Sequence, residues 1–135
     1  DAALSEDFFQ DIGMVGVGTA DAPSGTSLPF VPEYKGYISG RYEKEINGFD
    51  SFFGATYSIV GSTYNDLFIA EREEQDAYAL LNATAGFGRN NWSVSLFANN
   101  ITDERAELFR NAADFDARIT TNRPRSFGIQ LSQDF

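Results

Sequence analysis

From Arg125 to the last residue the sequence reads Arg-Ser-Phe-Gly-Ile-Gln-Leu-Ser-Gln-Asp-Phe, and its apolar residues keep a period of two. Phe127, Ile129, Leu131 and Phe135 fall on one face, and Ser126, Gly128, Gln130, Ser132 and Asp134 on the other. Successive side chains of a strand point to opposite faces, so this segment is expected to be a strand with one dry and one wet side. The sequence ends on an aromatic, with no later element to cover the dry side. Lipid is the expected cover, which points to an outer-membrane β-barrel.

Four earlier segments repeat the pattern, and strands are predicted over residues 33–43, 50–60, 77–87, 92–99 and 125–135. Tyr34, Gly36, Ile38, Gly40 and Tyr42 oppose Lys35, Tyr37, Ser39, Arg41 and Glu43. Phe53, Ala55, Tyr57 and Ile59 oppose Gly54, Thr56 and Ser58; Ala79, Leu81, Ala83, Ala85 and Phe87 oppose Tyr78, Asn82, Thr84 and Gly86. Trp92, Val94, Leu96 and Ala98 oppose Ser93, Ser95 and Asn99. Alternation over this length is the strand signal. Phe52, Leu80 and Phe97 break it by falling on the polar side.

The connections alternate as well. Residues 44–49 hold the Asn47-Gly48 turn pair and 88–91 form a second short link, whereas 61–76 and 100–124 are long. Tight periplasmic turns and long external loops are the rhythm of an outer-membrane barrel. Residues 1–32, punctuated by Gly and Pro, read as a further external loop, with a short helix possible between Leu4 and Met14. If the last strand runs down to the periplasm, Tyr42, Phe87 and Phe135 end the downward strands. Phe49, Phe53 and Trp92 then begin the upward ones, together an aromatic girdle at one interface. Tyr34 and Phe127 fall at the other edge. Single-chain membrane barrels start at about eight strands. An open sheet in hydrocarbon leaves costly unpaired edges. A chain of about five strands is therefore expected to be part of a larger barrel, or to assemble with other chains.

Composition narrows the chemistry. With no Cys and no His there is no disulfide, no Cys/His zinc site, no thiol nucleophile and no His-based triad. A net charge of −10 argues against nucleic acid as a partner. No apolar run approaches the length of a membrane helix, which leaves a barrel open because its spans are short and alternating.

Several longer motifs now become specific. Trp92-Ser-Val-Ser-Leu-Phe-Ala-Asn-Asn-Ile-Thr-Asp-Glu-Arg105 resembles the penultimate strand of TonB-dependent outer-membrane receptors, with Asn100 and Asp103 on that family's Asn and Asp. Pro124-Arg125 and the alternating strand to Phe135 resemble its last strand. Leu28-Pro-Phe-Val-Pro-Glu-Tyr34 looks like the run-in to an earlier strand, and Ser58-Ile-Val-Gly-Ser-Thr-Tyr-Asn-Asp66 like a Gly-rich strand end. The resemblance implies an all-β, antiparallel transmembrane segment forming the C-terminal part of a plugged barrel of about 22 strands. It implies uptake of a scarce nutrient of the ferric siderophore, cobalamin or oligosaccharide class, and no enzyme or cofactor. The partners it implies are outer-membrane lipid, the barrel-assembly machinery, the rest of the barrel and its plug, and the TonB complex through an N-terminal part. Neither plug nor TonB box is visible in this sequence. Phe127, Ile129, Leu131 and Phe135 would form the C-terminal assembly signal, read by strand addition. The competing reading of the alternation is a small secreted β-sandwich that binds carbohydrate, and a third is an oligomeric pore.

Other constellations have plainer explanations. Asn99-Asn-Ile-Thr-Asp103 suits a strand end whose side chains bond nearby backbone. The acidic run Asp66–Asp76, with Glu71, Glu73, Glu74 and Asp76, offers oxygens to a hard cation but matches no calcium loop, and reads as a solvated loop. Asp114 and Asp116 beside Arg110 and Arg118 superficially suggest a carboxylate pair for glycoside hydrolysis and read better as local ion pairs. Tyr37, Arg41, Tyr78 and Asn82 are placed on the inward face as filler of a polar interior. The triplets beginning at Asn82, Asn91 and Asn100 match the glycosylation pattern by chance.

Overall fold

The computed structural model describes residues 3–6, 22–70, 72–111 and 118–134. Phe135 and most of the helix expected between Leu4 and Met14 lie outside the described residues, as do Glu71, Asp114 and Asp116. The chain divides into two compact units. A sheet unit comprises Gly36–Ile59, Tyr78–Arg105 and Asn122–Phe135, and a loop unit comprises Asp1–Lys35, Val60–Ala77 and Ala106–Thr121.

Nine strands occur among the described residues: β1 Lys35–Ile46, β2 Phe49–Val60, β3 Thr63–Tyr64, β4 Glu74–Gln75, β5 Tyr78–Arg89, β6 Trp92–Asn99, β7 Glu107–Asn111, β8 Arg118–Thr121 and β9 Ser126–Gln133. The five long alternating segments make one five-stranded sheet in the order β1-β2-β5-β6-β9. The antiparallel architecture expected from alternation is thus present; this sheet is not a closed barrel.

Turn chemistry explains where the strands meet. Asn47 and Gly48 both have positive φ, 52° and 77°. That pair is what a two-residue turn matching the strand twist requires, so β1 and β2 run right up to it. The sequence-based boundary at Glu43 fell short because Lys44 and Glu45 obscure the alternation without interrupting the strand. At the next hairpin Arg89 opposes Trp92, and Asn90, with φ 55°, turns the chain.

Register then sorts the two faces. Ala83, Ala85 and Phe87 stand opposite Ala98, Leu96 and Val94, which in turn stand opposite Phe127, Ile129 and Leu131. On the reverse side Gly86 and Gly88 meet Ser95 and Ser93, which meet Gln130 and Ser132. A slip of one residue would mix the two sets, so the apolar pattern itself specifies the pairing.

Within the loop unit, short pairings occur in segments that the sequence presented as plain loops. β3 pairs with β4, and β7 pairs with β8 through a bulge between Glu107 and Phe109. Strands of two to five residues carry too few alternations to be recognised. Leu4 N–H donates to Thr26 O and Gly25 N–H to Leu4 O within the first segment of this unit, and Phe30 N–H to Tyr64 O and Gly61 N–H to Tyr34 O join it to the second.

Candidate functional site

The apolar face of the sheet carries side chains that are largely exposed among the described residues. Phe127, Ile129 and Leu131 are 70%, 68% and 75% exposed. The buried apolar residues among those described are only Ala22 and Ala106, so the sheet has no aqueous core of its own. Between Phe53, Leu96, Phe127 and Ile129 the small side chains of Ala83, Ala85 and Ala98 leave a shallow apolar groove of about 440 Å³.

Aromatic rings gather toward the turn edge. Phe49, Phe87 and Trp92 meet edge to face with centroids 6.0–6.1 Å apart, and the Arg89 guanidinium lies 5.5 Å from the Phe49 ring. Each such ring pair contributes about 0.5–1.5 kcal/mol beyond the area it buries. Phe53 lies four residues beyond Phe49, about 13 Å along the strand, and joins the groove residues instead of this cluster. Tyr42 is exposed on β1 and four residues short of its end at Ile46, a similar distance from the turn.

The opposite face is polar and floored by glycine. Its three interruptions noted in the sequence include two with a structural cause. The Phe52 ring lies over Gly86, where an added Cβ would come within 2.7 Å of it, and the Arg41 guanidinium stacks 4.1 Å above the same ring. The Phe97 ring lies over Gly128, its direct cross-strand partner. An aromatic folded onto a strand glycine covers backbone that would otherwise be bare. Arg41 also pairs with Glu43 at 2.6 Å. Nearby, Ser39, Thr56, Asn82, Thr84 and Asn99 border a polar trough of about 370 Å³ over Gly40 and Gly54.

At the other end of β6 the chain enters its long excursion through Asn100, which is 4% exposed with φ 50°. Its amide nitrogen donates to Glu104 O and Arg123 O, both at 2.9 Å, and its amide oxygen accepts from Glu104 N at 2.9 Å. Its backbone N–H reaches Asn82 Oδ1 on β5 at 2.9 Å. Asp103, also left-handed at φ 56°, accepts from Arg125 N at 3.0 Å and lies 3.5 Å from Arg105. The Arg125 backbone bond, helped by the charges of Arg105 and Arg125, holds the Asp103 carboxyl below the ordinary carboxylate range. Asn and Asp tolerate the left-handed region and bond locally, which is why this pair suits the position. One Asn and one Asp thereby fasten both ends of the excursion between β6 and β9.

The remaining sequence candidates separate. Arg110 forms a two-pronged contact with Glu107 at 3.0 and 3.1 Å and reaches Glu73 at 3.0 Å. Asn82, placed on the inward face by the sequence, is also the partner of Asn100. Nothing in the spacing announced that bond, or the roles of Arg123 and Glu73, because each spans a loop. Among the described residues no cluster of acidic side chains is arranged to hold a metal.

A five-stranded antiparallel sheet that is apolar and uncovered on one side, polar on the other and joined by tight turns at one edge is a strip of membrane β-barrel wall. The profile of the family described as TonB dependent receptor-like, beta-barrel, matches residues 3–101, and the chain belongs to that family. The match takes in β1 to β6 and ends one residue past Asn100. The family is one of outer-membrane receptors and transporters. No match was found among curated proteins or among solved structures.

Proposed function

We propose that this chain is the C-terminal part of the barrel of a TonB-dependent receptor that takes up a scarce nutrient of the ferric siderophore, cobalamin or oligosaccharide class. The observation that carries this reading is the register-matched apolar face with its three highly exposed residues on β9. A water-soluble domain of this size would bury such a face, because each large apolar side chain returned to cover is worth about 1.5–3 kcal/mol. Hydrocarbon removes that penalty.

The other assignments follow from the orientation. The polar face lines the lumen and meets the plug. The Asn47-Gly48 and Asn90-Asn91 turns are periplasmic. Residues 1–32, 61–76 and 100–124 are external. Phe49, Phe87 and Trp92, with Tyr42 and Phe135, lie toward the periplasmic interface. The free edge of β9 pairs with the first strand of the same barrel. Phe127, Ile129, Leu131 and Phe135 are the signal read by the assembly machinery, and TonB engages an N-terminal part. The Asn100–Asp103 turn is a strand-to-loop fastener with no direct ligand role.

The test is fractionation and gel behaviour of the protein in a Gram-negative host. The reading expects outer-membrane recovery, a detergent requirement and a folded band that shifts on heating. A detergent-free soluble monomer would instead support the secreted β-sandwich.

A further inference from the structure

The apolar groove of the sheet has a cation at one end. It occupies two cross-strand rows, Ala83–Ala98–Phe127 and Ala85–Leu96–Ile129, with Phe53 of β2 at its side. The large side chains of Phe53, Phe127 and Ile129 stand around the alanine methyls and do not fill the space between them. A second hollow, of about 430 Å³, shares Ala85 and Leu96 with the first and continues past Phe87 and Val94. From Ala83 to Phe87 the two together follow about 13 Å of strand.

Arg125 stands at the Phe127 end. It precedes Phe127 by two residues, so extended backbone puts both side chains on one face. Its guanidinium lies 6.0 Å from the Phe127 ring centroid, and its Nη1 approaches Ile101 O at 3.5 Å. Asp103, the carboxylate beside it, accepts from the Arg125 backbone N–H and lies 3.5 Å from Arg105. Among the described residues no carboxylate is in ion-pair range of the Arg125 guanidinium. Arg105 and Arg123, both exposed, belong to the same strand ends. Residues 100–105 and 122–125 thus carry three arginines against two acids, Asp103 and Glu104, in a chain whose net charge is −10. A guanidinium bordering hydrocarbon is costly until an anion or water meets it. Its planar donors match the oxygens of a phosphate.

We propose that the groove and Arg125 together bind one anionic membrane lipid, its phosphate on the Arg125 guanidinium and one acyl chain laid over Ala83, Ala85 and Ala98 toward Phe87. The inference rests on the membrane reading of the apolar face and adds a specific occupant to it. Charge and shape select that occupant together. A lipid without net charge fits the groove and leaves the cation unmatched; a free phosphate matches the cation and leaves the groove empty. Head at Arg125 and tail toward the turns is also the direction taken by a lipid of the outer leaflet in the orientation proposed above.

The test uses the intact receptor in phosphatidylcholine vesicles that carry a trace of a lipid with a photoreactive diazirine in its acyl chain. The head group of that probe is phosphatidylglycerol in one series and phosphatidylcholine in the other. Cross-linked residues are mapped by mass spectrometry in the parent, Arg125→Gln, Arg125→Lys and Ala85→Leu, each checked for folding by its heat-shifted gel band. In the parent, labelling at Ala98 and Phe127 should be about three- to tenfold higher with the phosphatidylglycerol probe. Arg125→Gln should bring that ratio close to one while labelling persists, and Arg125→Lys should retain most of it. Ala85→Leu, which fills the groove, should lower labelling with both probes. Inorganic phosphate at matched ionic strength should change nothing. Equal labelling by the two probes in the parent, an unchanged ratio in Arg125→Gln, or displacement by inorganic phosphate would each overturn the lipid site and leave the receptor reading standing. A receptor that does not insert into vesicles at all would overturn both.

Discussion

Replacing Gly128 and Gly86 by Ala should separate two kinds of crowding on the polar face of the sheet. At Gly128 the near neighbours of a new Cβ are all atoms of the Phe97 ring, with Cε1 at 2.6 Å. At Gly86 the neighbours are the Phe52 ring and the backbone carbonyl of Val94, at 2.7 and 2.6 Å. Overpacking of this kind costs about 1–3 kcal/mol. Against it stands a gain of about 0.4–1 kcal/mol from restricting the unfolded chain, since neither glycine has positive φ. Both single variants should therefore lose about 1–2 kcal/mol net. The rings can be deleted and the carbonyl cannot. Gly128→Ala should cost nothing further in a Phe97→Ala background, whereas Gly86→Ala should still cost in a Phe52→Ala background. Gly40→Ala is the control: no atom lies within 4 Å of its new Cβ, and it should be neutral or slightly stabilising. The assay is urea unfolding from phospholipid vesicles, read as loss of heat-modifiable gel mobility, arranged as two double-mutant cycles. Equal, uncoupled effects at Gly86, Gly128 and Gly40 would refute the claim that Phe52 and Phe97 are seated on glycine.

Three other outcomes follow from the same structure. Asn100→Gly keeps the left-handed backbone but strips the side-chain bonds, and should cost about 1–3 kcal/mol because Glu104 O and Arg123 O lose their donor, measured in the same unfolding assay. Asp103 has a lowered pKa, so its contribution is present above its unfolded value of about 3.9 and is lost as pH falls through the lower folded value. Protection of the Arg125 amide should then weaken as the pH falls below the ordinary carboxylate range, and Asp103→Asn should lower it at the pH values where the carboxylate is charged. Leu96→Arg, which sets a cation on the apolar face, should cost about 2–4 kcal/mol if that position lies near the bilayer midplane, while Gln130→Arg on the other face should cost little, as read from yield of folded protein.

The sheet was legible because its information is local. Alternation marks all five long strands, and the Asn47-Gly48 pair by itself announces its turn. Phe52 and Phe97 looked like errors in the pattern only because their partners, Gly86 and Gly128, lie on neighbouring strands. The same limit hid the fastening at Asn100. Its residue type suggested a strand end, yet the carbonyl it binds at Arg123 is 23 positions away. The sequence sets Arg110 beside acids of its own loop, and the structure pairs it with Glu107 across a bulge and with Glu73 from another segment. Pairings made by β3, β4, β7 and β8 are too short to leave a period.

Central to this account is that one side of β6 and β9 touches hydrocarbon and the other touches water. The absence of Cys allows single cysteines to be placed in turn at residues 93–98 and 127–132 of the membrane-embedded protein, each carrying a spin label whose relaxation by oxygen and by a water-soluble nickel complex is compared. The account predicts oxygen-dominated relaxation at Val94, Leu96, Ala98, Phe127, Ile129 and Leu131, and nickel access at the residues between them. A flat profile, or the two reagents reaching both sets alike, would contradict it.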